Sequence, residues 1–520
     1  MCTRKKGDAS LSLRIRPRRP PARLGHPKPQ VHHLVTGEAA NLVTAVSPIF
    51  VVIMGSAYGL HYTTHFMDGM SEHRDRRELT VETMRMVGKP IVLTAITTMA
   101  GFASLAWSDV GPIRQMGIFV PLGIGYAGFL SLVFLPALLT RISLPAGVRR
   151  PHVGGFTELL TRVPHHRRLV IFSVVVLVTL SAVSASSLKV VSDQLMFFKE
   201  GSPIRQTFDK VEDNFGGALT IIGEIPAGRG LETLRDYEYA EDVLDVEREL
   251  ERMPGVVSAH SLFDMVLGSY ASVTGHSEYP ENPNTVHRIL VQMDEEDLES
   301  WYADDGLRLV VRTEDLSRED VARLRQFESE KAEVRTLNGT PSLYDELSRL
   351  TVEGQVKSLG LALALVFIML IISLRRGRAA LIALAPILIT VLAIMGVLAL
   401  SGFHLNLVTA TLSAVAVGVG GDYSIHLISG IEYYRKRGLA GPEAVEAALS
   451  TVSRPILANA FELAIGLSVL FLSPLHIHTQ VATVMWVAMM VSSLVALTLI
   501  PLFYQANSSG TGLSPNSSPP

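Results

Sequence analysis

The sequence predicts a polytopic α-helical membrane protein: two pseudo-symmetric helix bundles, the first incomplete, with one α/β domain set between spans. Three observations carry this expectation. Apolar residues gather in runs of about 20, the length an α-helix needs to cross roughly 30 Å of hydrocarbon. One long polar stretch, 189–355, interrupts the runs. A segment near the start of the chain also returns, in altered form, near its end.

The apolar runs lie near 43–66, 90–107, 113–139, 169–188, 357–374, 379–400, 405–430, 455–473 and 479–504. The chain is 48% hydrophobic and only 18% charged, below the quarter or so of charged residues usual in soluble domains. A large soluble protein would not sort its apolar residues into so many membrane-length runs. Cys2 is the sole cysteine, which excludes an internal disulfide and a cysteine-based metal site. The net charge of −3 averages over several compartments and points to no nucleic acid. Residues 1–40, with "RIRPRRPPARLGHPKP", read as a disordered basic tail rather than a signal peptide. Residues 506–520 read as a second disordered tail.

The polar stretch 189–355 reads as a folded α/β domain. "ALTIIGEI" (218–225) alternates like a strand, 231–253 has helical period with i,i+4 charge pairs, and "GVVSAHSL" (255–262) is a second strand. The set recurs as "GLRLVVRT" (306–313), a helix over 317–328 opened by a Ser317 cap, and "AEVRTL" (332–337). Two such units predict a split ferredoxin-like sandwich. The insertion between them, about 263–304, contains the turn-rich loop "HSEYPENPN".

Positive charges set the expected topology. Arg141, Arg149, Arg150, Arg167 and Arg168 lie between the third and fourth spans, Arg375, Arg376 and Arg378 after the fifth, and Arg435, Lys436 and Arg437 after the seventh. Those loops are expected in the cytoplasm, which places 189–355 outside and the C-terminus inside. The basic N-terminal tail would then fall outside, against the trend.

The internal repeat explains that conflict. Displaced by 365 residues, 41–139 lies on 406–504 without a gap, and "NLVTA" recurs letter for letter. Gly55, Tyr58 and His61 fall on Gly420, Tyr423 and His426; Pro90, Gly101 and Pro136 fall on Pro455, Gly466 and Pro501. Duplicated membrane units are characteristic of transporters, whose sites form between the repeats. The expected division is 41–140 for the last three helices of the first repeat and 141–168 for a cytoplasmic linker. The second repeat follows as 169–188 for its first helix, 189–355 for the outer domain and 356–505 for five further helices. The first repeat then matches only the last three spans of the second, as expected of a chain truncated or given a late start, or of a natural half-size variant.

The residues that could carry chemistry cluster in "GVGGDYSIHLISG" (418–430). Asp422 falls near the middle of its span, where an ionised carboxylate costs roughly 2.5–3.5 kcal/mol on insertion scales. A carboxyl poised between neutral and charged forms is what a proton-coupled cycle requires. Tyr423 is adjacent, and His426 is one turn on. In the first copy Tyr58 and His61 hold the matching places, with Ala57 in place of the acid. If the helices pack across a pseudo-two-fold, Tyr58 reaches Asp422. Glu462, whose counterpart is Thr97, is a second intramembrane acid, either an extension of the relay toward the cytoplasm or a helix-packing group near the interface. Gly418, Gly420 and Gly421, with Gly55 and Gly59 in the first copy, are expected to let helices approach closely. There is no Walker motif for ATP, no nucleophile elbow and no zinc-type cluster, so neither an enzyme nor a cofactor is expected. His476 and His478 read as solvated loop residues.

Together these motifs resemble the resistance–nodulation–division (RND) superfamily of exporters. "GVGGDYSIH" is similar to the Gly-rich Asp-Tyr motif of its tenth helix, "MGSAYGLHYTTHF" to its fourth, and "GSPIRQTFDKVEDNFGG" (201–217) to the start of the second porter domain. The likeness is strongest to the MMPL-like branch that exports lipids such as hopanoids. It implies proton-driven export of a hydrophobic or lipid-like substrate from the bacterial inner membrane, with membrane lipids as surroundings. It leaves a homo-oligomer open, since relatives occur as monomers, dimers and trimers. It also implies Asp422 as proton carrier with Tyr58, Tyr423, His61 and His426 around it; Ala57 departs from the paired acids of the branch. Two rival readings are a Patched-like, sterol-sensing lipid binder without transport and an inactive fragment.

Overall fold

The computed structural model describes residues 41, 43–70, 75–142, 166–190, 194–294, 298–303 and 306–506. The expected tails, 1–40 and most of 506–520, and most of the linker 141–168 lie outside the described residues.

Among the described residues nine helices are long and apolar enough to cross a membrane, one for each apolar run. The first three are α1 (Ser47–Gly69), α2 (Arg76–Ala103) and α3 (Gly111–Leu139), followed by α4 (Arg167–Ala185). The α/β domain then inserts α5 (Pro203–Phe215), β1 (Leu219–Pro226), α6 (Tyr237–Glu251), β2 (Val256–His260), α7 (Leu262–Thr274), α8 (Pro283–Gln292), β3 (Tyr302–Ala303), β4 (Gly306–Thr313), α9 (Arg318–Glu330) and β5 (Arg335–Gly339). Five helices complete the chain: α10 (Thr340–Leu374), α11 (Gly377–Leu400), α12 (Leu407–Lys436), α13 (Gly441–Leu467) and α14 (His476–Ala506).

Three helices outrun their apolar runs. The α2 helix starts at Arg76, capped by Asp75, whose side chain accepts from the Arg77 amide. The α13 helix starts at Gly441. The α10 helix starts at Thr340, directly after β5, and its first turns carry Arg349 paired with Glu346 and Glu353. Such i,i+3 and i,i+4 pairs stabilise helix in water, where hydropathy gives no signal. The expected division at 355/356 therefore falls inside one continuous helix that couples the α/β domain to the membrane part.

The sheet runs β2-β4-β1-β5, every neighbour antiparallel, with β3 added to β4. Leaving out the small β3, this is the ferredoxin-like order that the two predicted units imply. Ile221 and Ile225 alternate inward along β1 and join Leu309, Val311, Leu250 and Phe263 in one core. Ser317 caps α9 in a reciprocal capping box with Asp320. The insertion is more ordered than its turn chemistry suggests: α7 and α8 flank the loop, and Tyr279 of the loop is buried, donating to the Leu234 carbonyl at 2.7 Å. One acid also lies in this core. Glu247 on α6 is 4% exposed, and burial pushes its carboxyl up to about 8 against an opposing hydrogen bond from Ser261.

The repeat is a three-dimensional symmetry. Asn41 donates to Gln115 at 3.2 Å, and its counterpart Asn406 donates to Gln480, the counterpart of Gln115, at 2.8 Å. A Cβ on Gly55 would meet the Ala127 side chain, and one on Gly420 would meet Ser492, the counterpart of Ala127. The helix α12 is the hub. It packs on α2, α10, α11, α13 and α14, and 89% of its most apolar window is buried.

Candidate functional site

Asp422 projects from the middle of α12 and is 5% exposed. It faces α2, which it can approach because two glycines meet at the crossing. A Cβ on Gly101 of α2 would lie 2.6 Å from the Gly418 backbone of α12. At that crossing the Thr98 hydroxyl lies 3.3 Å from both Asp422 carboxyl oxygens, and the Thr97 hydroxyl lies 3.4 Å from Oδ1. These are long for O–H···O bonds, whose usual span is about 2.5–3.0 Å. The Thr97 hydroxyl also lies 3.1 Å from the Leu93 carbonyl and 2.9 Å from the Thr94 carbonyl. A hydroxyl has one proton to give. Thr97 can therefore donate to an ionised Asp422, or turn back to its own helix when Asp422 is protonated. The pair Thr97 and Thr98 was legible only as part of a polar stripe, Thr94, Thr97 and Thr98, on one helical face.

The expected partners divide into two groups. Tyr58, 2% exposed on α1, lies beside Thr98 and Asp422, yet its hydroxyl has no hydrogen-bond partner among the described residues. Tyr423 is fully buried but turned the other way, its hydroxyl 3.4 Å from the Met489 sulfur of α14. His61 and His426, counterparts in the repeat, stack face to face with ring centroids 4.2 Å apart and planes 10° apart. Glu462 does not join Asp422; it faces Ser56 of α1 across a different crossing.

Glycine has two roles here. At Gly55, Gly418 and Gly420 an added Cβ would come within 2.8–3.1 Å of its first neighbour. At Gly59 and Gly421 it would sit at 3.8 and 3.7 Å, ordinary contact distances. Close approach therefore does not require glycine at those two positions, contrary to the expectation from sequence.

On the side of the α/β domain a crevice of about 10 Å³ leads between α10 and α12, lined by Thr351, Gln355, Ser358 and Thr411. That is roughly room for one water. The Gln355 amide reaches Ser413 at 3.5 Å, while its Oε1 and the Thr351 hydroxyl are buried without partners among the described residues. Thr411 is about 16 Å along α12 from Asp422 at 1.5 Å per residue. Among the described residues no group of His, Cys, Asp or Glu could hold a metal ion.

A buried acid between pseudo-symmetric helix bundles, with a ferredoxin-like domain inserted in the second, defines a membrane protein of RND type. The MMPL family pattern matches residues 30–165 and 303–512, and the chain belongs to the MMPL family. A membrane protein of Methanocaldococcus jannaschii is 23% identical over 364 residues, covering 66% of this chain and 92% of that one. The hopanoid transporter HpnN of Rhodopseudomonas palustris is 26% identical over 118 residues, 23% of this chain and 14% of its own. The transport protein MmpL12 of Mycobacterium tuberculosis is 33% identical over 140 residues, 26% of this chain and 12% of its own. Thus the matches to named transporters span a small part of those proteins. The crystal structure of SecDF, a translocon-associated membrane protein from Thermus thermophilus, superposes with a TM-score of 0.55 at 16% identity. It covers 92% of this chain and 56% of its own, a likeness of fold. The family points to transport rather than to catalysis.

Proposed function

We propose that this protein uses the proton-motive force to export a hydrophobic or lipid-like substrate from the bacterial inner membrane. In this reading the α/β domain stands on the outer side and the C-terminus in the cytoplasm. Asp422 is the proton carrier. The observation that carries the reading is its setting: a carboxyl buried at mid-span, facing two threonine hydroxyls and, among the described residues, no cationic side chain. An ionised carboxylate there is costly unless something offsets it. The two hydroxyls offset it in part by donating, and a proton removes the charge altogether. The contacts at 3.3–3.4 Å are loose enough for both states.

The coupling follows from the hub. Charging Asp422 favours an α2–α12 crossing drawn tight around the threonines, and neutralising it removes that pull. Since α12 packs on α10, and α10 runs unbroken into β5 of the α/β domain, a shift at the crossing reaches the domain. The Gln355 crevice suits a water path from that side, and Tyr58 supplies a hydroxyl beside the acid and Thr98. Relatedness to a hopanoid transporter supports a lipid-like cargo.

The test is full-length protein in vesicles under an imposed pH gradient, with an internal pH dye and a fluorescent phospholipid as cargo probe. Gradient-driven proton movement that D422N abolishes, with D422N protein present at wild-type level, supports the reading. Lipid or sterol binding that ignores the gradient favours a lipid-binding protein without transport.

A further inference from the structure

From the sequence Glu462 read as a second acid in series with Asp422; the symmetry instead sets the two side by side. Under the 365-residue register Asp422 corresponds to Ala57, and Thr97, which contacts Asp422, corresponds to Glu462. At the α2–α12 crossing the acid is on α12 and the hydroxyls are on α2. At the symmetry-related crossing, α13 on α1, the acid is on α13 and the hydroxyl of Ser56, next to Ala57, faces it from α1.

The two crossings share one construction, although Glu462 is half-buried where Asp422 is buried. Gly101 meets Gly418 in the first; their counterparts Gly466 and Ile53 meet in the second, where a Cβ on Gly466 would be 3.1 Å from the Ile53 side chain. The stacked His61 and His426 mark the axis between them. Glu462 is therefore level with Asp422 on the opposite flank, not a step beyond it toward the cytoplasm.

We propose that Glu462 is a second proton-binding carboxyl, the mirror of the Asp422 site with acid and hydroxyl exchanged between the facing helices. Its Oε2 is buried and has no hydrogen-bond partner among the described residues. No cation faces it. The α1 helix brings Ser56 and, more than a turn on, His61; α12 brings Tyr423. The α14 helix has no ionisable residue between His478 and Tyr504, and on α13 itself Arg454 is two turns away. Asn459, one turn before Glu462, also holds an unpartnered buried Oδ1, so neither group satisfies the other. A proton is the available counter-charge. The relocated acid restores the count that Ala57 reduces, and each cycle would move two protons, one through each crossing. This inference rests on the proton-coupled reading of Asp422.

Infrared difference spectra of the full chain in lipid nanodiscs test it, because protonated carboxyl C=O stretches report each acid directly as pH is raised. Wild type should lose two bands from the dehydrated membrane interior. E462Q should lack one, D422N the other, with similar amplitudes, and A57D/E462T, which returns the acid to α1, should regain about the wild-type total. An E462Q spectrum equal to wild type overturns the proposal, as does a folded A57D/E462T protein with no regained band. E462Q is isosteric and decides the matter alone if the relocated variant does not fold. A missing E462Q band with D422N unchanged would instead overturn the Asp422 reading while leaving Glu462 a proton site.

Discussion

His61 and His426 are the same residue of two repeats, and their rings lie parallel at 4.2 Å. The contact fixes where the pseudo-two-fold passes, with the Asp422 crossing on one side and the Glu462 crossing on the other. Both rings are nearly fully buried, so each is part of the packing between the bundles. Replacing either by Ala should destabilise the protein. A double-mutant cycle on H61A and H426A should return a coupling of about 0.5–1.5 kcal/mol, the range for aromatic pairs. Strict additivity in thermal unfolding would show that the stack contributes nothing.

Thr98 and Thr97 should differ. Thr98 turns its hydroxyl to Asp422 and has no carbonyl of its own helix as a hydrogen-bond partner among the described residues, whereas Thr97 also has two such carbonyls within reach. Losing a hydrogen bond to a charged group costs about 1.5–3 kcal/mol. T98V should therefore slow gradient-driven proton movement at least tenfold, and T97V should slow it less. Initial rates in vesicles check the order; equal effects, or a larger one for T97V, would count against it.

Glycine substitutions should separate two classes. G101A and G418A place a methyl group within 2.6–3.1 Å of facing backbone, and should push α2 from α12 and abolish activity. G59A and G421A add a methyl at ordinary contact distance and should leave stability unchanged or raise it by up to about 1 kcal/mol. Thermal unfolding in detergent, beside the flux assay, measures both.

How far the sequence was legible follows from these positions. The spans, the strands β1, β2 and β4, the Ser317 cap and the repeat all announce themselves through periodicity or identity. Asp422 stands out because a charge in an apolar run is rare. Its partners do not: a threonine is unremarkable in a membrane helix, and only the α2–α12 crossing brings Thr97 and Thr98 to the acid. The first turns of α2 and α10 were hidden because a cap and charge pairs in water support them, and those of α13 because they too precede its apolar run. The α7 and α8 helices lie beside a loop whose turn residues dominated the reading of that insertion. Glu462 was visible as an acid, but its relation to Asp422 needed the symmetry axis.

The α/β domain should lose stability as pH rises. Burial holds the Glu247 carboxyl at about 8, against 4.5 as its ordinary value. Between those values the folded domain keeps a proton that the unfolded chain has released. Stability is therefore full below about pH 4.5, falls by up to about 1.4 kcal/mol per pH unit as pH approaches 8, and then levels. E247Q cannot ionise and should flatten the slope. Hydrogen exchange in α6 and α7 of the full chain, corrected for intrinsic rates, checks this; an unchanged slope in E247Q would place the titration elsewhere.

The most direct test of the central claim is the proton flux of D422N in sealed vesicles under an imposed pH gradient, beside wild type at matched protein density. Flux reduced to that of protein-free vesicles, with unfolding temperature unchanged, is the predicted result. Wild-type flux in folded D422N would contradict the account.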